Sequence, residues 1–234
     1  ILKGRANGVD SFAAGRGVVA SGISSFAAVG ETNSNTEASG DYSIALGLNA
    51  KAKNTNSIAI GRLNTVSGAR TICLGLANSD GNGFDDGIVI GKGSEIKQNK
   101  AITIGFEAGR TQSSGITIGT NAQSRSGAIG IGFNADASAN RSIALGFNSF
   151  TDNLSSVALG GRSQNNNNVS TDRDDQIKLG SLDHEVTAPG GYNSRVDTIA
   201  DDAVVSFTPR SNFGKIVIHD SNAEVGEVLY DISN

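Results

Sequence analysis

The chain has no Met and no Trp, only two Pro, one Cys and two His, and 5% aromatic residues among its 234 positions. A single cysteine excludes an intrachain disulfide, and with two distant histidines it is too little for a zinc site. There is no run of 18 apolar residues and no signal-peptide pattern, so the sequence predicts no membrane-spanning segment. Residue 1 is not Met, and we expect the native chain to start further upstream. The 31 glycines and few bulky side chains are typical of an extended β protein.

Candidate catalytic groups are equally scarce. Paired acids occur at Asp85-Asp86, Asp174-Asp175 and Asp201-Asp202. Adjacent acids on loops are usually solvated turn residues, and adjacent strand residues point to opposite faces, so these pairs do not predict a two-carboxylate site. Cys73 has no His in its region and is interpreted as a packed thiol. The sequence therefore predicts that the protein is not an enzyme, with no catalytic residue and no cofactor.

Charge argues against one further class of partner. The net charge is −4 at pH 7, and nine acids against three bases from Ser181 onward give that segment −6. The rest of the chain is then +2. An acidic end segment is a poor electrostatic match for nucleic acid. We therefore expect no nucleic-acid partner and no membrane insertion.

What the chain has instead is a repeat. The phrase apolar-x-apolar-Gly occurs ten times between Ile44 and Gly180. Its glycines are 14, 14, 16, 14, 14, 13, 14, 14 and 20 residues apart. A fixed period of this kind is typical of a solenoid, in which one small unit stacks on the next.

The repeat also predicts its secondary structure. Two apolar residues separated by one residue have strand spacing, and a glycine in every repeat would cost a helix roughly 1 kcal/mol each relative to Ala. After a strand, the same glycine supplies the positive φ that a sharp corner needs. At ~3.3 Å per residue, 14 residues trace about 46 Å, enough for one flattened coil of two short strands and two corners. We expect about 11 to 12 coils stacked roughly 4.8 Å apart, with parallel strands in register.

The aliphatic residues of the repeat are predicted to form an interior ladder. The small residues between them, such as Ala45 and Ala59, would then point outward, and we interpret their size as a subunit contact. One coil encloses only four or five side chains, which favours several chains around one axis. The predicted core ladder consists of Ile44, Leu46, Ile58, Ile60, Ile72, Leu74, Ile88, Ile90, Ile102, Ile104, Ile116, Ile118, Ile143 and Leu145.

Three segments resemble a known repeat. Ser43–Ala52 (Ser-Ile-Ala-Leu-Gly-Leu-Asn-Ala-Lys-Ala), Gly119–Ala122 and Ser142–Asn148 resemble the head repeats of YadA-like trimeric adhesins, whose pattern is Ser-Ile-Ala-Ile-Gly-x-x-Ala-x-Ala. The resemblance covers roughly residues 12 to 160. It implies an all-β fold, a left-handed parallel β-roll solenoid of about 14-residue coils in a homotrimer. The same roll is found in bacterial surface adhesins and in phage tail fibres.

The downstream sequence departs from the adhesins. An autotransporter head is followed by a neck, a coiled-coil stalk and a membrane-anchoring barrel, but no heptads follow Gly160. The segments Gln176–Gly180 and Ile199–Ile218 resemble phage tail proteins instead. We predict two domains, a β-roll over residues 1–180, irregular in 1–40 and 161–180, and a small antiparallel β module over residues 181–234. At this size the module needs trimerisation or a continuing chain.

These features predict a structural and adhesive trimeric fibre protein, a phage tail fibre segment that holds or forms a receptor-binding tip for the host surface. Two alternatives remain open: the head of a bacterial trimeric autotransporter adhesin and, third, a polysaccharide-cleaving tailspike. The predicted partners are further copies of this chain, other tail or fibre proteins, and a bacterial cell-surface glycan or outer-membrane protein. The predicted location is the virion tail, with the bacterial cell surface as the alternative.

Receptor contacts are expected at departures from the repeat, because the regular positions are needed for packing. The 16-residue repeat contains Asp80-Gly81-Asn82-Gly83-Phe84-Asp85-Asp86, which we interpret as a bulging loop rather than a cation site. Gly91 stands where a calcium-binding EF-hand has its bidentate Glu. The weak metal candidates are Asp80, Asn82, Asp85 and Asp86. The predicted receptor contacts are Asn82, Phe84, Asn166, Asn167, Asp201 and Ser221.

Overall fold

The structure, a computed structural model, describes residues 4–31, 35–109, 111–161, 169–171 and 173–179. Within these ranges it contains twenty β-strands and no helix. The predicted module of residues 181–234 lies outside them. The strands are β1 Arg5–Ala6, β2 Phe12–Ala14, β3 Val18–Ala20, β4 Phe26–Ala28, β5 Thr36–Ala38, β6 Ile44–Leu46, β7 Lys51–Ala52, β8 Ile58–Arg62, β9 Thr65–Val66, β10 Ile72–Leu76, β11 Ile88–Lys92, β12 Ile102–Phe106, β13 Ile116–Ile118, β14 Gln123–Ser124, β15 Ile129–Ile131, β16 Asp136–Ala137, β17 Ile143–Leu145, β18 Phe150–Thr151, β19 Val157–Leu159 and β20 Ile177–Leu179.

One strand of each coil joins a single parallel sheet. This sheet has twelve strands in the order β2-β4-β6-β8-β10-β11-β12-β13-β15-β17-β19-β20. The pairing is in register, so that Ile72 of β10 lies between Ile58 of β8 and Ile88 of β11. The aliphatic residues therefore align in columns along the stack. The predicted parallel solenoid of 14-residue coils is confirmed.

The other side of the roll is a row of shorter strands. β1, β3, β5, β7 and β9 form a five-stranded sheet, and β14, β16 and β18 form a three-stranded one. Single bridges, such as Ser79 with Glu95 and Ile96 with Thr111, continue the pairing between them. We call the outward surface of the twelve-stranded sheet the A face and the outward surface of the short strands the B face. No helix in the described ranges is long and apolar enough to cross a membrane.

Glycine is required at the corner that follows each strand of the large sheet. Gly91 has a φ of +136°, and a Cβ at this position would lie 1.7 Å from the carbonyl oxygen of Gly105 in the next coil. A side chain would therefore collide with neighbouring backbone, in a conformation that L-residues rarely adopt. The same collision explains why the phrase ends in Gly in coil after coil.

The interior is lined by small side chains and not by the aliphatic ladder. In one coil Ser43, Ala45 and Ala52 are fully buried, whereas Ile44 and Leu46 are half-buried and point outward. The prediction of an aliphatic interior is therefore wrong, and so is the outward placement of the small residues. A flattened 14-residue coil is too narrow for facing columns of Ile at the packing density of a protein interior. The residues to which this correction applies are Ile44, Leu46, Ile58, Ile60, Ile72, Leu74, Ile88, Ile90, Ile102, Ile104, Ile116, Ile118, Ile143 and Leu145.

Where a large side chain does enter the interior, a small one accompanies it. Ile96 is fully buried, and a Cβ on Gly87 of the same coil would lie only 2.3 Å from the Cδ1 atom of Ile96. In this coil Ile96 is accommodated because Gly87 has no side chain.

Several interior side chains are polar and bonded to one another. The hydroxyl groups of Thr103, Thr111, Thr117 and Ser124 form a chain with oxygen–oxygen distances of 2.6, 2.8 and 2.7 Å. Asn78 donates from Nδ2 to two backbone carbonyl oxygens at 2.7 and 2.8 Å and accepts from a backbone N–H of the next coil. Buried polar groups are tolerated when they are hydrogen-bonded. The interior therefore accepts Ser, Thr and Asn together with Ala.

Candidate functional surfaces

The A face is an apolar surface that follows the stack. From β6 to β19 it presents two columns of Ile, Leu and Val, which begin at Ile44 and Leu46. Nine strands about 4.8 Å apart make these columns roughly 38 Å long, and the two-residue spacing places them about 7 Å from each other. Towards the N-terminus the first column continues through Phe26 and Phe12, whose rings stack with centroids 4.9 Å apart.

No segment within the described ranges covers the A face. Ile60 is 37% exposed and Leu145 is 42% exposed. Parallel sheets are usually covered on both faces, and monomeric proteins rarely expose a contiguous apolar patch larger than a few hundred Å². The A face therefore has the character of a contact surface and not of a solvent-facing one.

The 16-residue coil carries the metal candidates but does not gather them. Asp80 is fully buried, and its Oδ2 accepts hydrogen bonds from the backbone N–H groups of Ser67 and Gly68 at 2.8 and 2.5 Å. Its Oδ1 has no partner within the described residues. Burial raises the pKa of the Asp80 carboxyl, and the amide hydrogen bonds partly oppose this rise. The Asp80 side chain therefore lies inside the roll, where it binds backbone N–H groups of the preceding coil, and it is not accessible to solvent.

Asp85 and Asp86 face the preceding coil. Asp86 accepts from Nε and Nη2 of Arg70 at 2.5 and 3.1 Å, and Asp85 accepts from the backbone N–H of Ala69 at 2.7 Å. The hydrogen bond from Arg70 lowers the pKa of Asp86. Since Asp80 points inward and Asp86 pairs with Arg70, these carboxylates do not converge. Across the described ranges, no three or more His, Cys, Asp or Glu side chains are placed to hold a metal ion together.

The single cysteine lies in the interior. The Sγ atom of Cys73 is 3.9 Å from the carbonyl oxygen of Thr65, and the residue is fully buried. Burial, with a further effect of Asp80, raises the pKa of the Cys73 thiol. A buried thiol with a raised pKa is inert, which fits the interpretation of a packed side chain.

The predicted receptor contacts have different positions. Asn82 is exposed at the tip of the 16-residue coil, whereas Phe84 is half-buried and packs against the interior cluster. The other four lie outside the described residues: Asn166, Asn167, Asp201 and Ser221.

Sequence reasoning missed two features of the surface. The outward direction of the aliphatic residues had only an indirect signal in Ala50 and Ala52, because small residues that alternate on both strands are consistent with an all-small lining but do not require one. A polar cavity near Gln123 and Arg125 was also missed. Its signal was the 13-residue interval that ends at Gly132, the one spacing shorter than 14.

Comparison with known proteins points to the same repeats. The family model described as the YadA head domain repeat matches twice, over residues 35–72 and 126–149. Among solved structures, the crystal structure of the collagen-binding domain of the Yersinia adhesin YadA is similar to this chain, with a TM-score of 0.50. The two share 25% sequence identity over 69% of this chain and 79% of that one. No curated protein sequence matches the chain.

Both matched segments contain the outward aliphatic pair and the inward small residues described above, for example Ile44, Ala45 and Leu46. The likeness therefore concerns the residues that build the coil, on both of its sides. The repeats of this chain are YadA-like head repeats, folded into a parallel β-solenoid.

Proposed function

We propose that this chain is the rigid segment of a trimeric attachment fibre outside the cell, in which three copies pack their A faces together around the fibre axis. The observation that carries the proposal is the continuous aliphatic A face, left uncovered by the chain's own residues in the described ranges. A face of this length on a parallel sheet needs a cover of equal length.

Hydrophobic burial is sufficient to drive the assembly. The two columns from Ile44 to Leu159 contain eighteen aliphatic side chains, two in each of nine strands. Covering a side chain that is already half-buried contributes on the order of 1 kcal/mol. The sum per chain is then about 18 kcal/mol, which exceeds the roughly 4–15 kcal/mol that association costs.

A further copy of this chain is the partner that fits best. The A face is a ladder with one rung every ~4.8 Å, and only a surface with the same rise keeps its side chains in step over many rungs. Identical chains have that rise, and a closed cyclic arrangement leaves no adhesive face exposed. YadA-like head repeats imply three chains.

The proposed role follows from stiffness and valency. Every coil is hydrogen-bonded to its neighbours, so the roll is suited to hold a binding element away from its base. Three copies of a weak contact gain avidity without new chemistry. This role is structural and adhesive, and it involves no catalysis.

Within this role we favour a phage tail fibre that contacts a bacterial cell-surface glycan or outer-membrane protein. The resemblance of the sequences Gln176–Gly180 and Ile199–Ile218 to phage tail proteins supports this choice. The head of a bacterial trimeric adhesin is the second candidate, favoured by the similarity to a collagen-binding adhesin domain.

The trimer is tested with Ile104→Asp, which places a charge in the middle of the A face. A charge that is buried without a partner is strongly unfavourable, so we expect the mass in sedimentation equilibrium to fall from three times 23.8 kDa to that of one chain, or the chain to unfold. The matched control is Thr65→Asp on the B face, which should keep the trimer. A chain that is monomeric before any substitution, or an Ile104→Asp variant that stays a compact trimer, contradicts the proposal.

The two kinds of fibre are separated by where the protein is found. Antibodies raised against the roll, applied to cultures of the source in immunogold electron microscopy, should label tails of virus particles if the chain is a tail fibre. Labelling of the bacterial envelope alone favours the adhesin head instead. Binding of the purified protein to immobilised collagen provides an independent check on the second candidate.

A further inference from the structure

A polar cavity opens on the B face. Its volume is about 240 Å³, and its lining includes Lys97, Gln112, Gln123, Arg125, Asp136 and Ser138. These residues come from four successive coils, so the cavity spans several rungs of the solenoid.

The cavity exists because the B face changes its geometry at this point. The backbone N–H groups of Glu95 and Lys97, two positions apart, donate to the carbonyl oxygens of Ala108 and Thr111, which are three positions apart. This mismatch is a β-bulge, a device that commonly redirects side chains near functional sites.

Two shortened turns deepen the depression. The turn between the inward residues Thr111 and Gly115 has three residues, and so has the turn between Ser124 and Ala128. The corresponding turn after Ala52 has four. Two neighbouring coils are therefore drawn in, and the coils on either side form the walls.

The lining holds polar groups that have no partner within the described residues. No hydrogen bond is made by the carboxamides of Gln112 and Gln123 or by the guanidinium of Arg125 in the described part of the chain. Lys97 is paired with Glu95, and Asp136 accepts from the hydroxyl of Ser138 at 2.5 Å. Donors and acceptors thus converge on one depression.

Among the described residues, the charges of the lining are balanced once its neighbour Glu95 is included. Glu95 offsets Lys97, and Asp136 lies in the coil next to the one that carries Arg125. An anionic ligand would meet the Asp136 carboxylate, and an apolar ligand would leave the amides without partners, which is costly. Amides, a carboxylate and a guanidinium instead match a ligand that has several neutral hydroxyl groups, each both a donor and an acceptor.

We propose that this cavity binds one ring of a neutral saccharide. Its volume is below the roughly 300–1,000 Å³ of pockets for drug-sized ligands, which suits a single ring. The inference rests on the proposed attachment to a surface glycan and specifies a site for it, but it does not depend on the trimer, because one chain forms the cavity. On the same face Phe150 pairs in register with Asp136, so a second ring attached to the first would reach an aromatic side chain one coil further along.

The test uses saturation-transfer difference NMR on the whole chain with three neutral probes, methyl β-galactoside, methyl α-glucoside and N-acetylglucosamine, and with the acidic sugar N-acetylneuraminic acid as a fourth. We expect transfer to at least one of the neutral probes. Gln123→Ala and Arg125→Ala should each weaken its binding by roughly threefold to tenfold, the range for one lost hydrogen bond. Lys51→Ala and Lys53→Ala are the matched controls, since they occupy the same two coil positions beside a four-residue turn and should leave binding unchanged.

Three outcomes would overturn the inference. These are no transfer to any of the probes, equal binding by the wild type and both cavity variants, and binding confined to the acidic sugar N-acetylneuraminic acid. Circular dichroism of each variant verifies that the fold is retained. The outcome is independent of the trimer test, because a folded monomer of Ile104→Asp would still contain the cavity.

Discussion

The A and B faces share one backbone architecture and differ in chemistry. Both are made of parallel strands with one rung per coil, and the register of the B face is interrupted by a bulge. The A face repeats Ile, Leu and Val, whereas the B face changes from one coil to the next. Backbone pairing therefore builds the roll, and the outward side chains decide which side attracts another copy. The outward residues of the B face include Glu37, Lys51, Thr65, Ser79, Glu95, Gln123, Asp136 and Phe150.

The difference between the two faces can be removed by giving the B face the aliphatic character of the A face. In the triple variant Lys51→Ile, Thr65→Ile and Ser79→Ile, three aligned rungs become aliphatic. When two such patches meet, six isoleucine side chains are covered, which at about 1 kcal/mol each contributes about 6 kcal/mol before association costs. We expect assemblies larger than those of the wild type in sedimentation velocity. The same three positions changed to Gln should not associate further, and equal behaviour of both variants would show that aliphatic character is not the cause.

A second test separates inward from outward positions of one strand. Ala59→Leu forces a large side chain into the narrow interior and should lower the free energy of unfolding by about 3 kcal/mol. Ile60→Ala, one residue later on the A face, should change the stability of the single chain by less than about 1 kcal/mol and mainly weaken association. Urea unfolding at low protein concentration measures both. A larger loss of stability for Ile60→Ala than for Ala59→Leu would mean that Ile60, and not Ala59, points into the interior.

The pH dependence of stability tests the burial of the Asp80 carboxyl in the interior behind the B face. This carboxyl has a raised pKa in the folded chain, so its contribution to stability is greatest below the unfolded pKa and is lost as pH rises through the folded pKa. Asp80→Asn removes this titration. The wild type should therefore gain stability relative to Asp80→Asn when the pH is lowered from neutral to acid. Urea unfolding at both pH values gives this difference, and the opposite trend would contradict the burial of Asp80 as its cause.

The smallest expected effect lies at a corner that joins the two faces. Ala77 has a φ of +54°, a conformation unfavourable for residues with a Cβ, and its backbone N–H donates to the carbonyl oxygen of Arg62. Ala77→Gly should raise the free energy of unfolding by about 0.5 kcal/mol, since relief of strain slightly exceeds the entropy cost of glycine. Ala77→Val should lower it because a β-branched residue resists this conformation. Thermal unfolding of the three proteins is sufficient to rank them.

The periodic part of the fold could be predicted from the sequence because each of its signals is local. Alternation at Ile44 and Leu46 requires a strand, and a glycine such as Gly91 requires a corner whatever lies around them. These local signals did not predict which side of the strand faces the interior. Alternation identifies two sides without saying which is inside, and the rule that Ile is buried assumed a core wide enough to hold it.

The candidate sites were harder to predict for a related reason. The acids at positions 80, 85 and 86 are close in sequence, but the coil turns Asp80 inward and directs Asp86 to Arg70. The cavity on the B face combines Gln112, Gln123 and Asp136, which are brought together only when successive coils are superimposed. Neighbours across coils are set by register, and register at this point depends on a bulge that has no local residue signature.

By itself the sequence determined the period, the parallel stacking and the positions of the corners, because these depend on local conformational preferences repeated every 14 residues. Only the tertiary structure decided which residues line the inside. The width of a closed coil depends on the path of all its backbone residues together. That width leaves room inside for Ala45, whereas Ile44 and Leu46 lie on the outside.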